Sequence, residues 1–427
     1  MYSVYGKSLL IKHAAEIVTN TGTKAKKGDD MKRLKRITDA ALLIKDGIID
    51  WIGATADLPV LKDTTIEVID ASGCSVIPGF VDSHTHFVFG GYRPEEFFWR
   101  LNGTAYLEIL ERGGGILNTV EATRSMGYDR MFASAAERLD NMLFMGVTTV
   151  EGKSGYGLNL DTELMQLQVM GDLNKNHAVE TVPTFMGAHA VPPEYHGRAE
   201  DYTRFILQKV LPAVAEQGIA EFCDVFCEKG VFSVEQSRQI LKAASDLSMK
   251  IKIHADEIVS FGGAELAAEL GAVSADHLLQ ASDQGIADMA MSGVVATILP
   301  ITAFCLKEEY AKARTMIDNG GAVALATDFN PGSCFSHSIP MLIALAVIQL
   351  KLSPAEILTA LTLNGAAAVG RADRIGTLEC GKQGDVVILK YPSHLFLSYH
   401  AGMDIVNTVI KRGQIVVNKS NTTGGNL

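Results

Sequence analysis

Residues 75–86 read SVIPGFVDSHTH, an apolar strand-like run that ends in two histidines separated by one threonine. Side chains two residues apart on a strand point to the same side, so His84 and His86 can reach one common metal ion. Alone, the H-x-H pair is a weak signal, because two ordinary polar residues at a strand end explain it more often. Whether the H-x-H pair belongs to a metal site therefore has to be judged from the rest of the chain.

Seven further apolar runs follow, and longer segments with helical apolar spacing separate many of them. The runs lie in VTTVEGKSGYG (147–157), TVPTFMGAHA (181–190), FCDVFCEKG (222–230), IKIHADE (251–257), VSADHLL (273–279), VVATILP (294–300) and VALATDFNPG (323–332). Segments 129–146 and 233–249 are the clearest predicted helices. Eight βα units predict an α/β fold, a (β/α)8 TIM-like barrel, in which functional residues lie where the strands end.

The two ends of the chain have a different pattern, with short β-like runs separated by glycine and aspartate turns. These runs are SLLIKHAAEIV (8–18), ALLIKDGIIDWIG (41–53), TIEVIDASG (65–73), GTLECGKQGDVVILK (376–390) and IVNTVIKRGQIVV (405–417). They predict a small β-sandwich domain built from residues 1–75 and 374–427. The barrel would then occupy residues 76–373.

Composition excludes several classes of partner. The net charge of −11 argues against nucleic-acid binding, which needs a basic surface. No apolar run reaches the roughly 18 residues of a membrane span. Six scattered cysteines are typical of a reduced, cytoplasmic protein, and the close pair Cys223 and Cys227 is better explained by a buried strand than by a zinc knuckle.

Polar residues recur at the ends of the later predicted strands. His254 follows the run IKI, His277 follows VSAD, and Asp328 follows VALAT. Together with the H-x-H pair they predict a metal centre at the mouth of the barrel, since imidazoles and a carboxylate suit Zn²⁺ or iron. Glu257, three residues after His254, is the predicted proton-transfer group.

Four segments, PGFVDSHTH, HADE, ADHL and ATDFNPG, resemble motifs of the amidohydrolase superfamily, which comprises metal-dependent hydrolases with a barrel flanked by a β-sandwich. Within it the chain resembles the imidazolonepropionase family. The segments that carry this closer resemblance are GGYRPEEF (90–97), GGGILNTVEATR (113–124), VEGKSGYGLNLDTEL (150–164), TFMGAHAVP (184–192), DVFCEKGVFS (224–233) and TDFNPGS (327–333). The resemblance implies hydrolytic ring opening of 4-imidazolone-5-propanoate to N-formimidoyl-L-glutamate, a step of histidine degradation.

The same resemblance implies roles for particular residues. The implied ligands of one zinc or iron ion per subunit are His84, His86, His254 and Asp328. The implied catalytic groups are Glu257 as proton shuttle, His277 beside the reacting carbonyl, and Asp328. The implied substrate site comprises Arg93, Tyr106, Tyr156, His189, Glu257, Asn330, Gly332 and Ser333, with threonine expected at the last position in many relatives.

Arg93 also fits the implied substrate on chemical grounds, because a guanidinium binds a carboxylate tail through two parallel hydrogen bonds. The resemblance further implies a homodimer. It implies an unmodified Lys153, in contrast to the carboxylated lysine of dinuclear relatives.

Two other functions remain open at this point. The H-x-x-E pattern at His254 and Glu257 is shared with aminohydrolases such as cytosine or guanine deaminases, which release ammonia; Arg93 and the GGGI and SGYGL segments argue against that activity. The second alternative is a non-catalytic scaffold of the same fold. Such proteins typically lose metal ligands, whereas all four candidates are present here.

Overall fold

The computed structural model describes residues 8–61, 65–103, 108 and 114–419. Its strands are β1 (Ser8–Thr19), β2 (Lys35–Lys45), β3 (Ile48–Ala54), β4 (Glu67–Asp70), β5 (Ser75–Pro78), β6 (Phe80–Asp82), β7 (Val147–Lys153), β8 (Glu180–Ala188), β9 (Phe222–Cys227), β10 (Lys250–Ala255), β11 (Ser274–His277), β12 (Val295–Ile298), β13 (Ala322–Leu325), β14 (Val386–Leu389), β15 (Val406–Lys411) and β16 (Gln414–Asn418).

The α-helices are α1 (Pro94–Leu101), α2 (Ile116–Met126), α3 (Tyr128–Phe144), α4 (Leu160–Asn176), α5 (Ala199–Phe205), α6 (Leu211–Gln217), α7 (Val234–Asp246), α8 (Gly263–Leu270), α9 (Asp283–Ser292), α10 (Pro300–Leu306), α11 (Ala313–Asp318), α12 (Ile339–Ile348), α13 (Pro354–Leu361), α14 (Leu363–Ala368) and α15 (Phe396–Tyr399). The two clearest predicted helices correspond to α3 and α7. The latter begins with a capping box, in which Ser233 and Gln236 satisfy each other's backbone N–H groups. In the described part of the chain, no helix combines the length and apolar character needed to cross a membrane.

Strands β6 to β13 form a parallel sheet in which each strand pairs with its neighbour in sequence. The two edge strands meet just beyond their ends. Asp328 N–H donates to His84 O at 3.0 Å, and His86 N–H donates to Phe329 O at 2.9 Å. These bonds close the barrel, which confirms the predicted (β/α)8 fold.

The second sheet combines both ends of the chain, in the order β16-β15-β14-β5-β1-β2-β3, with β4 also paired to β1. Strand β1 contains a register shift between Ile11 and Ala14, so its first half pairs with β4 and its second half with β5. The separate terminal sheet is thus confirmed, while the exact domain boundaries stay a prediction. Residues 75–86 form two strands, not one, because the chain passes from the terminal sheet to the barrel at Gly79, where a Cβ would collide with Thr148.

A buried carboxylate links the barrel to the terminal sheet. Glu180, the first residue of β8, contacts Arg371, Arg374, Lys411 and Arg412. Burial alone would raise its pKa, but these cations outweigh burial and lower the pKa to about 2. The carboxylate therefore stays ionised in the folded protein and contributes electrostatic stability.

We predict that Glu180→Gln lowers the free energy of unfolding at pH 7 by about 3 kcal/mol. This is the lower end of the range for breaking a buried ion pair, because Arg371 and Lys411 keep Glu221 and Asp385 as partners. A group with a lowered folded-state pKa stabilises above its unfolded pKa of about 4.3, and this contribution is lost as the pH falls towards 2. In denaturant unfolding, the stability difference between wild type and variant should therefore start to shrink near pH 5, be clearly smaller at pH 3 than at pH 7, and vanish only near pH 2. Glu121→Gln, at an exposed position of α2, is the control. An equal stability difference at pH 7 and pH 3 would contradict the account.

Candidate metal centre and substrate cavity

Five polar side chains from four barrel strands converge at the carboxyl ends of those strands. His84 and His86 follow β6, His254 lies in β10, His277 ends β11, and Asp328 follows β13. Each residue is at most 2% exposed. This is the face on which barrel enzymes carry their active sites.

The histidine and aspartate side chains face one another closely enough to share a cation. The Nε2 atoms of His84 and His86 lie 3.4 and 3.6 Å from Asp328 Oδ1. The Nε2 atoms of His86 and His254 lie 3.4 Å apart. Among the described residues, three groups have ligand atoms within 4.8 Å of one another, and two of them belong to this cluster: His84, His86, Asp328 and His84, His254, His277.

The protonation of these imidazoles fits a metal site. His84 Nε2 is buried without a hydrogen-bond partner in the described structure, while its Nδ1 lies 2.6 Å from Asp276 Oδ2. Burial, followed by neighbouring positive groups, holds the pKa of His84, His86 and His254 well below the ordinary value. Neutral imidazoles with a lone pair directed inward, joined by a carboxylate, form the donor set that zinc or iron requires.

Two carboxylates lie behind the histidines of the cluster. Asp276 lies against His84 Nδ1, and Asp224 Oδ2 lies 3.1 Å from His254 Nδ1. The hydrogen bond to Asp276 favours the His84 tautomer with the proton on Nδ1, which leaves Nε2 free as a ligand. His254 Nδ1 lies close to Asp224 but makes no hydrogen bond within the described structure. Neither aspartate was predicted from the sequence, although Asp276 directly precedes the predicted site residue His277.

A layer of buried charge lies beneath these carboxylates. Lys153 Nζ is 2.8 Å from Glu151, 2.7 Å from Asp224 and 3.5 Å from Asp276. Lys252 Nζ lies 2.9 Å from Glu151 and 3.7 Å from Asp276. Burial alone would lower the pKa of Lys153, but the surrounding carboxylates raise it above its ordinary value, so the side chain remains an ammonium.

Glu257 and His277 stand together at the edge of the cluster, with Glu257 Oε1 3.5 Å from His277 Nδ1. Burial, reinforced by the charge of Asp328, raises the pKa of Glu257 to about 8. Burial lowers the pKa of His277 to about 4, so its ring is neutral near pH 7. A carboxyl group with a pKa near the working pH is suited to proton transfer in both directions.

A cavity of about 210 Å³ opens above the cluster. It contains most of the predicted substrate-site residues: Arg93, Tyr156, His189, Glu257, Asn330, Gly332 and Ser333. Tyr106 lies outside the described residues. Glu96, Arg100 and Phe226 also line the cavity, and none of them was predicted from the sequence as a site residue. Arg100 could have been found from its spacing, because it lies seven residues, or two helical turns, after Arg93.

The loop after β13 is held by one amide. Asn330 Oδ1 accepts hydrogen bonds from the backbone N–H groups of Gly332 and Ser333, both at 2.8 Å, while Asn330 Nδ2 donates to Asp328 O at 2.7 Å. Asp328 itself has a φ of 55°, in the left-handed region that non-glycine residues rarely adopt. His277 also has a backbone in the left-handed region, with a φ of 74°. Such backbone strain clusters at functional sites, where it aims side chains inward.

Comparison with known proteins agrees with this geometry. The model of the Amidohydrolase family matches residues 75–416. The imidazolonepropionase of Clostridium tetani is 58% identical over 97% of this chain and 99% of its own length. The chain is a member of the imidazolonepropionase family of amidohydrolases. It is therefore a hydrolase, and its family is metal-dependent.

Two further comparisons support the same family and the same fold. The imidazolonepropionase of Parabacteroides distasonis is also 58% identical, over 95% of this chain and 98% of its own. An adenosine deaminase from Xanthomonas campestris, solved with bound zinc, superposes with a TM-score of 0.69 over 96% of this chain and 93% of its own, at 21% identity. At that identity the likeness shows the amidohydrolase fold alone.

We predict that His84→Ala and Asp328→Ala will each contain well under one metal ion per chain after metal loading and desalting. Each change removes one donor from a set of four. His177→Ala is the matched control, because that histidine pairs with Asp140 outside the cavity. Elemental analysis gives the readout, and full occupancy in His84→Ala would rule out its role as a ligand.

Proposed function

We propose that this chain hydrolyses 4-imidazolone-5-propanoate to N-formimidoyl-L-glutamate. The observation that carries the proposal is one small cavity that is lined both by the metal-type cluster and by Arg93. The metal-type cluster suits a reacting ring carbonyl, and Arg93 suits a carboxylate tail. The names of the two imidazolonepropionases compared above point to the same substrate.

In this proposal His84, His86, His254 and Asp328 hold one ion of zinc or iron. When bound, that ion would supply Lewis-acid chemistry that makes a water molecule nucleophilic near neutral pH. Asp276 keeps the donor nitrogen of His84 directed inward, and Asp224 lies beside Nδ1 of His254.

The protein side chains manage the protons of the reaction. Water adds to the ring carbonyl carbon, and the bond from that carbon to the ring nitrogen breaks. Glu257, as the carboxylate, takes the proton of the attacking water and passes it to the departing nitrogen, with Asp328 beside it. His277 lies 3.5 Å from Glu257 and, as a neutral imidazole, can donate its N–H to the developing oxyanion.

The remaining cavity residues orient the substrate. Arg93 pairs with the carboxylate tail. Tyr156 and His189 form one wall, with His189 stacked on His86 at a centroid distance of 4.9 Å. Asn330, Gly332 and Ser333 also line the cavity, and Tyr106 is included in the proposed site on the family resemblance alone.

Lys153 is proposed to remain unmodified, because its ammonium neutralises three carboxylates that a carbamate would repel. The proposals of a homodimer and of a cytoplasmic location rest on the family resemblance and the composition.

We predict that Glu257→Gln keeps its metal and loses about 10²- to 10⁴-fold in kcat on 4-imidazolone-5-propanoate, because the amide cannot carry the proton. The amide is nearly isosteric, so KM should change little. Glu216→Gln, at an exposed position of α6, is the control and should match wild type. A kcat for Glu257→Gln within threefold of wild type would exclude the proposed proton transfer.

A further inference from the structure

Helix α1 directs two arginines into the cavity, and the proposed function uses only one of them. Arg93 is the N-terminal cap residue of α1, and Arg100 lies in its last turn. Both line the cavity. Their spacing of seven residues places them on one face of the helix, two turns apart.

The described structure supplies one carboxylate for these two guanidinium groups. Arg93 Nη1 lies 3.2 and 3.1 Å from the two oxygens of Glu96, which also accepts a bond from Gly115 N–H at 2.7 Å. Arg100 Nη2 donates to Gly332 O at 2.9 Å, a neutral acceptor. Among the described residues, these three side chains together therefore leave one positive charge without a carboxylate partner.

Each arginine also has a donor with no partner. The Nε atoms of Arg93 and Arg100 are both buried and make no hydrogen bond within the described part of the chain. Buried N–H groups are almost always satisfied, and an unsatisfied donor on a charged group is especially costly. Burial lowers the pKa of Arg100, and Arg93 lowers it further, against the opposing effect of Glu96. An additional anion beside the two guanidinium groups would compensate their excess positive charge and raise the pKa of Arg100 towards its ordinary value.

Gly332 lies between the two arginines. A Cβ on Gly332 would lie 1.9 Å from Arg93 Nη2, so the guanidinium of Arg93 packs directly on this glycine. The carbonyl of the same residue accepts from Arg100. The two side chains are therefore held on the same peptide, close enough to share one ligand.

We propose that Arg100 is a second ligand of the substrate's carboxylate, which binds between Arg93 and Arg100 against Gly332. This inference rests on the proposed function and adds to it a residue that determines specificity. Two guanidinium groups on one carboxylate select a substrate with an anionic tail more strongly than one does.

Binding of a ligand that cannot be hydrolysed tests the proposal without turnover. Imidazole-4-propanoate retains the ring and the tail but lacks the ring carbonyl, and imidazole-4-propanamide lacks the charge as well. We expect metal-loaded wild type to prefer the propanoate in calorimetric titration. Arg100→Met should weaken its binding by about 10- to 100-fold, the effect of one charged hydrogen bond, and leave binding of the propanamide within about threefold.

Three further variants complete the experiment. Arg93→Met should show the same selective loss, and Arg314→Met, which removes an arginine paired with Glu356 away from the cavity, should show none. Arg100→Lys keeps the charge without the planar fork and should retain part of the affinity, which keeps the test valid if Arg100→Met does not fold. Unfolding midpoints and metal content report the integrity of each variant.

Two results would contradict the inference, and they can be told apart. If Arg100→Met and Arg100→Lys bind both ligands as wild type does, or weaken both equally, Arg100 only holds the loop at Gly332 and the inference is overturned. If wild type itself does not distinguish the propanoate from the propanamide, the proposed substrate fails, and the inference fails with it.

Discussion

The contact between His84 Nδ1 and Asp276, at 2.6 Å, is the constraint on which the rest of the site depends. It determines which nitrogen of His84 is free to face Asp328 and the other histidines. Asp276 can hold this position because Lys153 and Lys252 compensate its charge from below. A buried carboxylate without such partners would take up a proton or disrupt the fold. The metal-type cluster at the mouth of the barrel therefore depends on the ion pairs inside the barrel.

Closure of the barrel places the two ends of the cluster together. His84 and Asp328 come from strands far apart in sequence, and their backbones are joined by the bond that closes the sheet. Asp328 departs into the left-handed region directly after this point, and Asn330 then holds the loop that forms one wall of the cavity. The strain of that turn is balanced by the loop's own hydrogen bonds. The loop that contains Asn330 and Gly332 is therefore anchored to the strand end that carries Asp328.

The fold and the outline of the site could be predicted from sequence because both follow simple periodicities. Eight apolar runs alternate with helical segments, and histidines or acidic residues follow several of the runs. The buried charge was harder to find, because Lys252 and Asp224 lie inside apolar strands and their partners come from neighbouring strands distant in sequence. The division of residues 75–86 into two strands depends on packing against Thr148, which no local pattern contains. Tyr106 falls outside the described residues, so its place in the site stays a prediction.

The most direct test of the account is the product formed by the metal-loaded protein from 4-imidazolone-5-propanoate. An amidohydrolase site that adds water to the ring carbonyl opens the ring and retains both nitrogens in the product. We predict one N-formimidoyl-L-glutamate for each substrate consumed, measured by mass spectrometry, with no ammonia released. Release of ammonia, or no consumption of substrate by protein with a full complement of metal, would contradict the account.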